Sequence, residues 1–280
     1  MRTPVAALVL LATLAAPRVA SAGCSSAVPD PGNDRAANVH CTGVRVGMEL
    51  SVPSKKWGAY RCGASFAFTD QSGARYLTFP GSCYLDFDCL EDAVYDELPP
   101  PLDQIVPRLP TCLQAGDSEE EPNYGRRGPV VNDASGQRVG RIVYAVNKDG
   151  FDFALLRVDP DTKLDPSVPF YGGPTRIGMG SNLEEVRVWS PPNLGVTPNA
   201  RAGILQLDGS GLPYVLTEDV MSLPFGSSVT RTDGTAIGMF TGRDYVGWGQ
   251  QTQPLKLALG RALDHTGLRL TLMTAPLASH

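Results

Sequence analysis

The chain carries enough serines and carboxylates for acyl transfer but almost no imidazole. A serine hydroxyl attacks a carbonyl only when a general base within hydrogen-bond reach takes its proton. Histidine occurs three times in 280 residues, as His40, His265 and His280. His40 precedes the first strand-like sequence, His265 falls in a C-terminal helical stretch, and His280 is the last residue. Ser227 and Ser228 follow Gly226, but no G-x-S-x-G turn surrounds them. A serine–lysine dyad would need Lys55, Lys56, Lys148, Lys163 or Lys256 as base, and nothing local singles one out. Cation binding is the other chemistry on offer. Asp86, Asp88, Glu91 and Asp92 could supply oxygen ligands to calcium, although the glycine-centred loop of an EF-hand is missing. Patternless acidic runs such as Glu119-Glu120-Glu121 face solvent, so a solvated acidic loop is the simpler reading.

Strands must position these groups. Residues 44–50 partly alternate between apolar and polar. Residues 65–69 and 74–79 alternate on either side of Asp70-Gln71-Ser72-Gly73, which predicts a hairpin. Strand-like runs recur at 128–131, 139–146, 185–189, 201–207, 214–216, 228–231 and 236–241, and another run holds Asp152. Short strands punctuated by glycine and proline predict an all-β sandwich or barrel. Pro254 and Gly267 bracket one helix, and residues 268–272 alternate again. Residues 159–174 read as a linker between two halves. No internal repeat is visible.

The first 22 residues read as a signal peptide: Arg2, an apolar run at 5–16 and a small-residue site at Ala20-Ser21-Ala22. The run is shorter than the roughly 20 apolar residues that a spanning helix needs. Ser21, three residues before Cys24, argues against a lipoprotein signal. The expectation is a secreted chain with no membrane span, an N-terminal arm at 23–42 and regular structure from about Val44. Six cysteines, all in the first half, favour disulfides in an exported chain. Spacing alone leaves their pairing open. With no C-x-x-C and little histidine, no metal or other cofactor is expected.

Formal net charge is −5, unevenly spread. Residues 84–124 hold eleven acids against one base, Arg108, and include Pro99-Pro100-Pro101. This stretch reads as an acidic, proline-rich insertion, with a short helix at 85–98 only weakly signalled. No basic run with interleaved aromatics exists, so no nucleic-acid partner is expected. Local staples are expected at Cys89–Cys112, inside the insertion, and at Cys24–Cys41, on the arm.

Three stretches resemble the catalytic corners of secreted bacterial trypsin-like serine proteases. Phe79-Pro80-Gly81-Ser82-Cys83 stands where that family has T-A-G-H-C. Asp152-Phe153-Ala154-Leu155-Leu156-Arg157-Val158 resembles the aspartate corner. Leu223-Pro224-Phe225-Gly226-Ser227-Ser228 stands where the family has G-D-S-G-S-P. The resemblance covers roughly residues 43–275. It implies two packed antiparallel β-barrels, a first at 43–165 carrying the insertion at 84–124, and a second at 166–280 with the C-terminal helix. It also implies a Cys62–Cys83 bridge around the hairpin.

On this resemblance Ser82, Asp152 and Phe225 occupy the triad positions. Serine cannot act as the base and phenylalanine has no attacking atom. Pro224 and Leu223 replace residues of the oxyanion turn, and proline removes a backbone N–H. Asp152, without a histidine, becomes a structural partner for Ser82. The expectation is a non-catalytic protease homologue that is not an enzyme and binds an unknown extracellular protein or peptide through its inter-barrel cleft. Two other readings stay open: an active secreted serine endopeptidase with an atypical site, and a cation-dependent extracellular interaction protein.

Overall fold

The hairpin at residues 67–79 shows how local chemistry sets an element. Strands Ala67–Thr69 and Arg75–Phe79 pair in register, Phe68 opposite Tyr76. Asp70 makes the turn, because its Oδ1 accepts the backbone N–H of Ser72 at 2.8 Å and of Ala74 at 3.0 Å. Its Oδ2 accepts the Tyr76 hydroxyl at 2.8 Å, tying the turn to the strand it starts.

The computed structural model describes residues 23–24, 28–30, 33–38, 41–54, 58–85, 92–95, 128–191, 199–209, 211, 213–216, 223–246 and 249–278. Residues 1–22, Cys89, Cys112 and most of residues 84–124 lie outside them. Among the described residues the fold is all-β with one α-helix, arranged as two nine-stranded, mainly antiparallel sheets and two small two-stranded pairs. In the first, the order is Thr271–Leu272, Ala67–Thr69, Arg75–Phe79, Phe151–Val158, Arg138–Lys148, Val130–Asp133, Glu49–Ser54 and Gly58–Gly63. The second runs Glu184–Trp189, Ser228–Arg231, Thr235–Val246, Gly249–Pro254, Pro213–Leu216 and Ala200–Leu207, then pairs back onto Glu184–Trp189. That last pairing closes a six-stranded barrel, which leaves no open edge among those strands.

Several elements differ from the sequence reading. Regular structure starts before Val44: Val28–Asp30 and Asn33–Asn38 form a hairpin that joins the second sheet, with Ala37 opposite Ala200. Thr271–Leu272 returns to the first sheet, so each terminus crosses to the other half. The weakly signalled helix at 85–98 is wrong over its described residues 92–95. Ala93–Val94 is a strand on Ala145 and Tyr144, because the buried pair finds a sheet edge to bond to, an interaction that outweighs local propensity. The supposed linker contains Leu164–Asp165, paired in parallel with Val44–Arg45.

The helix Leu255–Thr266 begins directly after Pro254 and ends at Gly267, whose N–H bonds Leu263 O at 2.8 Å. It buries Leu255, Ala258, Ala262 and Thr266 along one face. Small residues on that face let the helix lie close to the first barrel.

Backbone contacts fasten the barrels together. Gly63 N donates to Phe225 O at 2.7 Å, and the Ser65 hydroxyl donates to Gly226 O at 2.8 Å. Trp189 Nε1 donates to Gly47 O at 3.1 Å. Gly226 has φ +86°, and a Cβ there would run into the carbonyl of Gly63. Gly226→Ala therefore meets both a left-handed backbone and a backbone wall. It should cost about 2–4 kcal/mol in urea unfolding. Gly136→Ala, at φ +84° with nothing within 4 Å, is the matched control and should cost about 1–2 kcal/mol.

Candidate functional site: the inter-barrel seam

Strand pairing delivers Ser82 to Asp152. Phe79 lies opposite Ala154 in the first sheet, so the chain leaving Arg75–Phe79 turns beside the start of Phe151–Val158. A 3-10 turn at Gly81–Cys83 follows. Ser82 then donates twice to Asp152, its backbone N to Oδ1 at 2.7 Å and its hydroxyl to Oδ2 at 2.8 Å. Asp152 is 1% exposed, and its own N–H donates to Gln253 Oε1 at 2.9 Å in the second barrel. The carboxylate thus sits at the seam, held by a hydroxyl.

Phe225 lies across the same seam. Its carbonyl accepts Gly63 N, and its ring stacks on Tyr60 with centroids 5.9 Å apart and planes 24° apart. Both rings are half-buried. The Cys62–Cys83 disulfide bonds the residue before Gly63 to the residue after Ser82. One bridge therefore links the strand beneath Phe225 to the turn that carries Ser82. The structure also pairs Cys24 with Cys41; Cys89–Cys112 falls outside the described residues.

The other serine candidates are engaged or enclosed. Ser227 is buried, its hydroxyl donating to Pro224 O at 2.8 Å and lying 2.9 Å from that of Ser190. Ser228 is 1% exposed, and its Oγ has no hydrogen-bond partner. Lys163 and Lys256 are exposed, Lys148 pairs with Asp92, and Lys55 and Lys56 lie outside the described residues. Leu223, at the oxyanion position of the resemblance, is 4% exposed and belongs to the second barrel's apolar core with Val186, Val188 and Phe240. Its side chain packs inward because the barrel interior offers apolar partners that solvent does not.

One cluster escaped the sequence reading. Asp92, 8% exposed, accepts the Tyr144 hydroxyl at 2.7 Å and both Arg261 Nε at 3.1 Å and a terminal Arg261 nitrogen at 2.8 Å. Lys148 Nζ and His265 Nε2 each approach it to 3.3 Å. Burial alone would raise the Asp92 pKa. The hydrogen bonds from Arg261 and Tyr144 and the nearby charges of Arg261 and His265 outweigh it and hold the carboxyl below its ordinary range. Tyr144 is pushed up, first by burial and then by its bond to that carboxylate.

This geometry corrects the calcium reading at its one described residue, since both Asp92 oxygens are already taken by cationic and hydroxyl donors. Among the described residues no group of three metal-ligating side chains forms, and Asp86, Asp88 and Glu91 lie outside them. His265 serves this cluster through its Nε2. His40 and His280 lie outside the described residues.

No protein-family model matches the chain, and no curated protein matches it. Solved structures do. A glutamic-acid-specific serine protease described as using a histidine triad in substrate binding matches 81% of this chain and 100% of its own, at 15% identity and TM-score 0.49. The Nocardiopsis protease NAPase matches 82% and 99%, at 17% identity and TM-score 0.45. A Cellulomonas bogoriensis chymotrypsin matches 82% and 99%, at 15% identity and TM-score 0.44. The mostly β architecture described above, a closed six-stranded barrel beside a second large sheet, matches the chymotrypsin-like two-barrel fold. The expectation that the chain is not an enzyme is not supported: the structures to which it is similar are serine proteases.

Two measurements test the carboxylates. Asp92→Asn leaves Arg261 and Lys148 facing a neutral amide and should lower stability by about 2–4 kcal/mol at pH 7. Because folding lowers the Asp92 pKa, its contribution is complete above the unfolded value of about 3.9 and fades as pH falls through the folded value. The gap between wild type and Asp92→Asn should therefore be flat above about pH 5 and close in stronger acid. Ser82→Ala removes one donor to buried Asp152 and should cost about 1–3 kcal/mol in the same assay.

Proposed function

We propose that this chain is an exported protein of trypsin-like fold that engages an extracellular protein or peptide in the cleft between its barrels. In this reading the triad route through residues 82, 152 and 225 is closed. One observation carries it: the Ser82 hydroxyl spends its hydrogen on Asp152, where an imidazole would have to accept a proton. The same reading assigns Phe225 to the nucleophile position, and its half-buried ring, stacked on Tyr60, supports an aromatic surface there rather than an attacking atom. Clefts lined by apolar groups with a few fixed polar atoms are the usual ligand sites of folded domains.

The test is incubation of the purified chain with a broad fluorophosphonate probe, alongside binding to a peptide library. The expected result is peptide binding, and the probe asks separately whether any serine outside positions 82, 152 and 225 is reactive. Labelling that disappears in Ser227→Ala or Ser228→Ala would replace this reading with an exported serine endopeptidase of atypical site. The double variant Ser82→His with Phe225→Ser checks the mapping. It should gain measurable probe labelling if Asp152 orients the new imidazole toward the new hydroxyl.

A further inference from the structure

We propose that Cys24–Cys41 is a thiol-exchange site: a small thiol reductant opens this disulfide while Cys62–Cys83 stays closed, and opening it unclasps the N-terminal hairpin from the second barrel. This does not depend on the cleft-binding reading above.

Three observations carry it. First, the two described disulfides differ in access. Cys62 and Cys83 are 0% and 1% exposed. Cys24 is exposed and Cys41 half-buried. Exchange begins when a thiolate reaches a disulfide sulfur, so its rate follows access as well as thiol chemistry. Of the two described bridges, Cys24–Cys41 is the one that presents a cysteine to solvent.

Second, the exposed bridge closes a segment that has few other constraints. Cys24 lies directly opposite Cys41 in the short pair Gly23–Cys24 and Cys41–Thr42. The hairpin Val28–Asp30 and Asn33–Asn38 lies wholly inside the loop closed in this way. Among the described residues, Ala37 opposite Ala200 is the strand pairing that fixes this hairpin to the second barrel. Its longer strand, Asn33-Asp34-Arg35-Ala36-Ala37-Asn38, contains no large apolar residue. Such a segment has little apolar surface with which to offset its lost chain entropy. A disulfide supplies the missing constraint by limiting the open loop.

Third, the clasp joins the two halves. Ala200 pairs on its other side with Trp189, whose Nε1 donates to Gly47 O across the barrels at 3.1 Å. Cys41 lies three residues before Val44, where the chain enters the large apolar core of the first barrel. The bridge therefore ties a hairpin docked on the second barrel to the chain that builds the first.

The chemistry balances with the reductant alone. A thiolate attacks Cys24 Sγ, the protein S–S bond breaks, and Cys41 leaves as a thiolate that takes a proton from water. A second thiolate attacks the mixed disulfide on Cys24, freeing that cysteine and releasing the oxidised reductant. Two reductant thiols are oxidised, and one protein disulfide gains two electrons.

The experiment uses the full folded chain under native conditions. Reduced glutathione is raised in steps, new thiols are trapped with N-ethylmaleimide, and peptide mapping reads Cys24, Cys41, Cys62 and Cys83 separately. Cys24 and Cys41 should label at glutathione concentrations at least about tenfold below those that label Cys62 and Cys83. Amide hydrogen exchange at residues 33–38 should then become at least about tenfold faster while the circular dichroism spectrum holds. Oxidised glutathione should restore the slow rate. The double variant Cys24→Ser with Cys41→Ser should show the fast exchange without any reductant, and the wild-type titration decides the matter where that variant does not fold.

Labelling of Cys62 and Cys83 together with or ahead of Cys24 and Cys41 overturns the inference. Exchange at residues 33–38 that stays slow after Cys24 and Cys41 are reduced overturns it equally, since the bridge would then hold nothing in place.

Discussion

The approach of two backbone segments, at Gly63 and Gly226, is the constraint on which the rest of the molecule depends. No side chain fits between them, and the Gly63 N–H to Phe225 carbonyl bond closes the gap at 2.7 Å. Everything near the seam inherits its position from that contact. Tyr60 reaches Phe225 because strand Gly58–Gly63 is held there, and Cys62 carries the constraint through its disulfide to Ser82 and Asp152. The seam is polar and backbone-rich, so it fixes geometry more than it contributes hydrophobic energy. The apolar cores on either side supply that.

Two buried carboxylates show opposite solutions to the same cost. An ionised group withdrawn from water needs hydrogen bonds or opposite charge. Asp152 at the seam accepts a backbone N–H and a hydroxyl from Ser82. Asp92 gathers Arg261, Lys148, His265 and the Tyr144 hydroxyl. The first arrangement occupies the place where the resemblance puts catalysis. The second clamps the C-terminal helix to the first barrel. Breaking a buried, charge-paired carboxylate is costly because the cations left behind stay partly desolvated.

The turn at Leu223–Gly226 separates backbone shape from side-chain role. Leu223 packs among Val186, Val188 and Phe240, so its side chain serves the barrel core. Pro224 follows with no N–H to offer. Two residues later Gly226 still makes the left-handed turn that the seam requires. The turn is fixed by backbone geometry, whereas the groups displayed around it are free to differ.

Local signals were legible in the sequence wherever an element is built from neighbours. The hairpin at 67–79, five of the six strands of the second barrel and the helix between Pro254 and Gly267 follow from alternation and turn chemistry, whereas the polar strand Gly249–Pro254 shows no apolar alternation and is not legible. The N-terminal hairpin was not legible, because a polar arm gains its order by pairing Ala37 with Ala200 far along the chain. The Asp92 cluster was equally hidden: its members come from positions 92, 144, 148, 261 and 265, and no spacing rule joins them. The sequence by itself determined which atoms are present: an aspartate, a serine and a phenylalanine at three corners, with histidine scarce. Only the tertiary structure decided which of them meet. Hydrogen bonds and ion pairs act over a few ångströms in space, and chain distance carries no information about them until the sheets close.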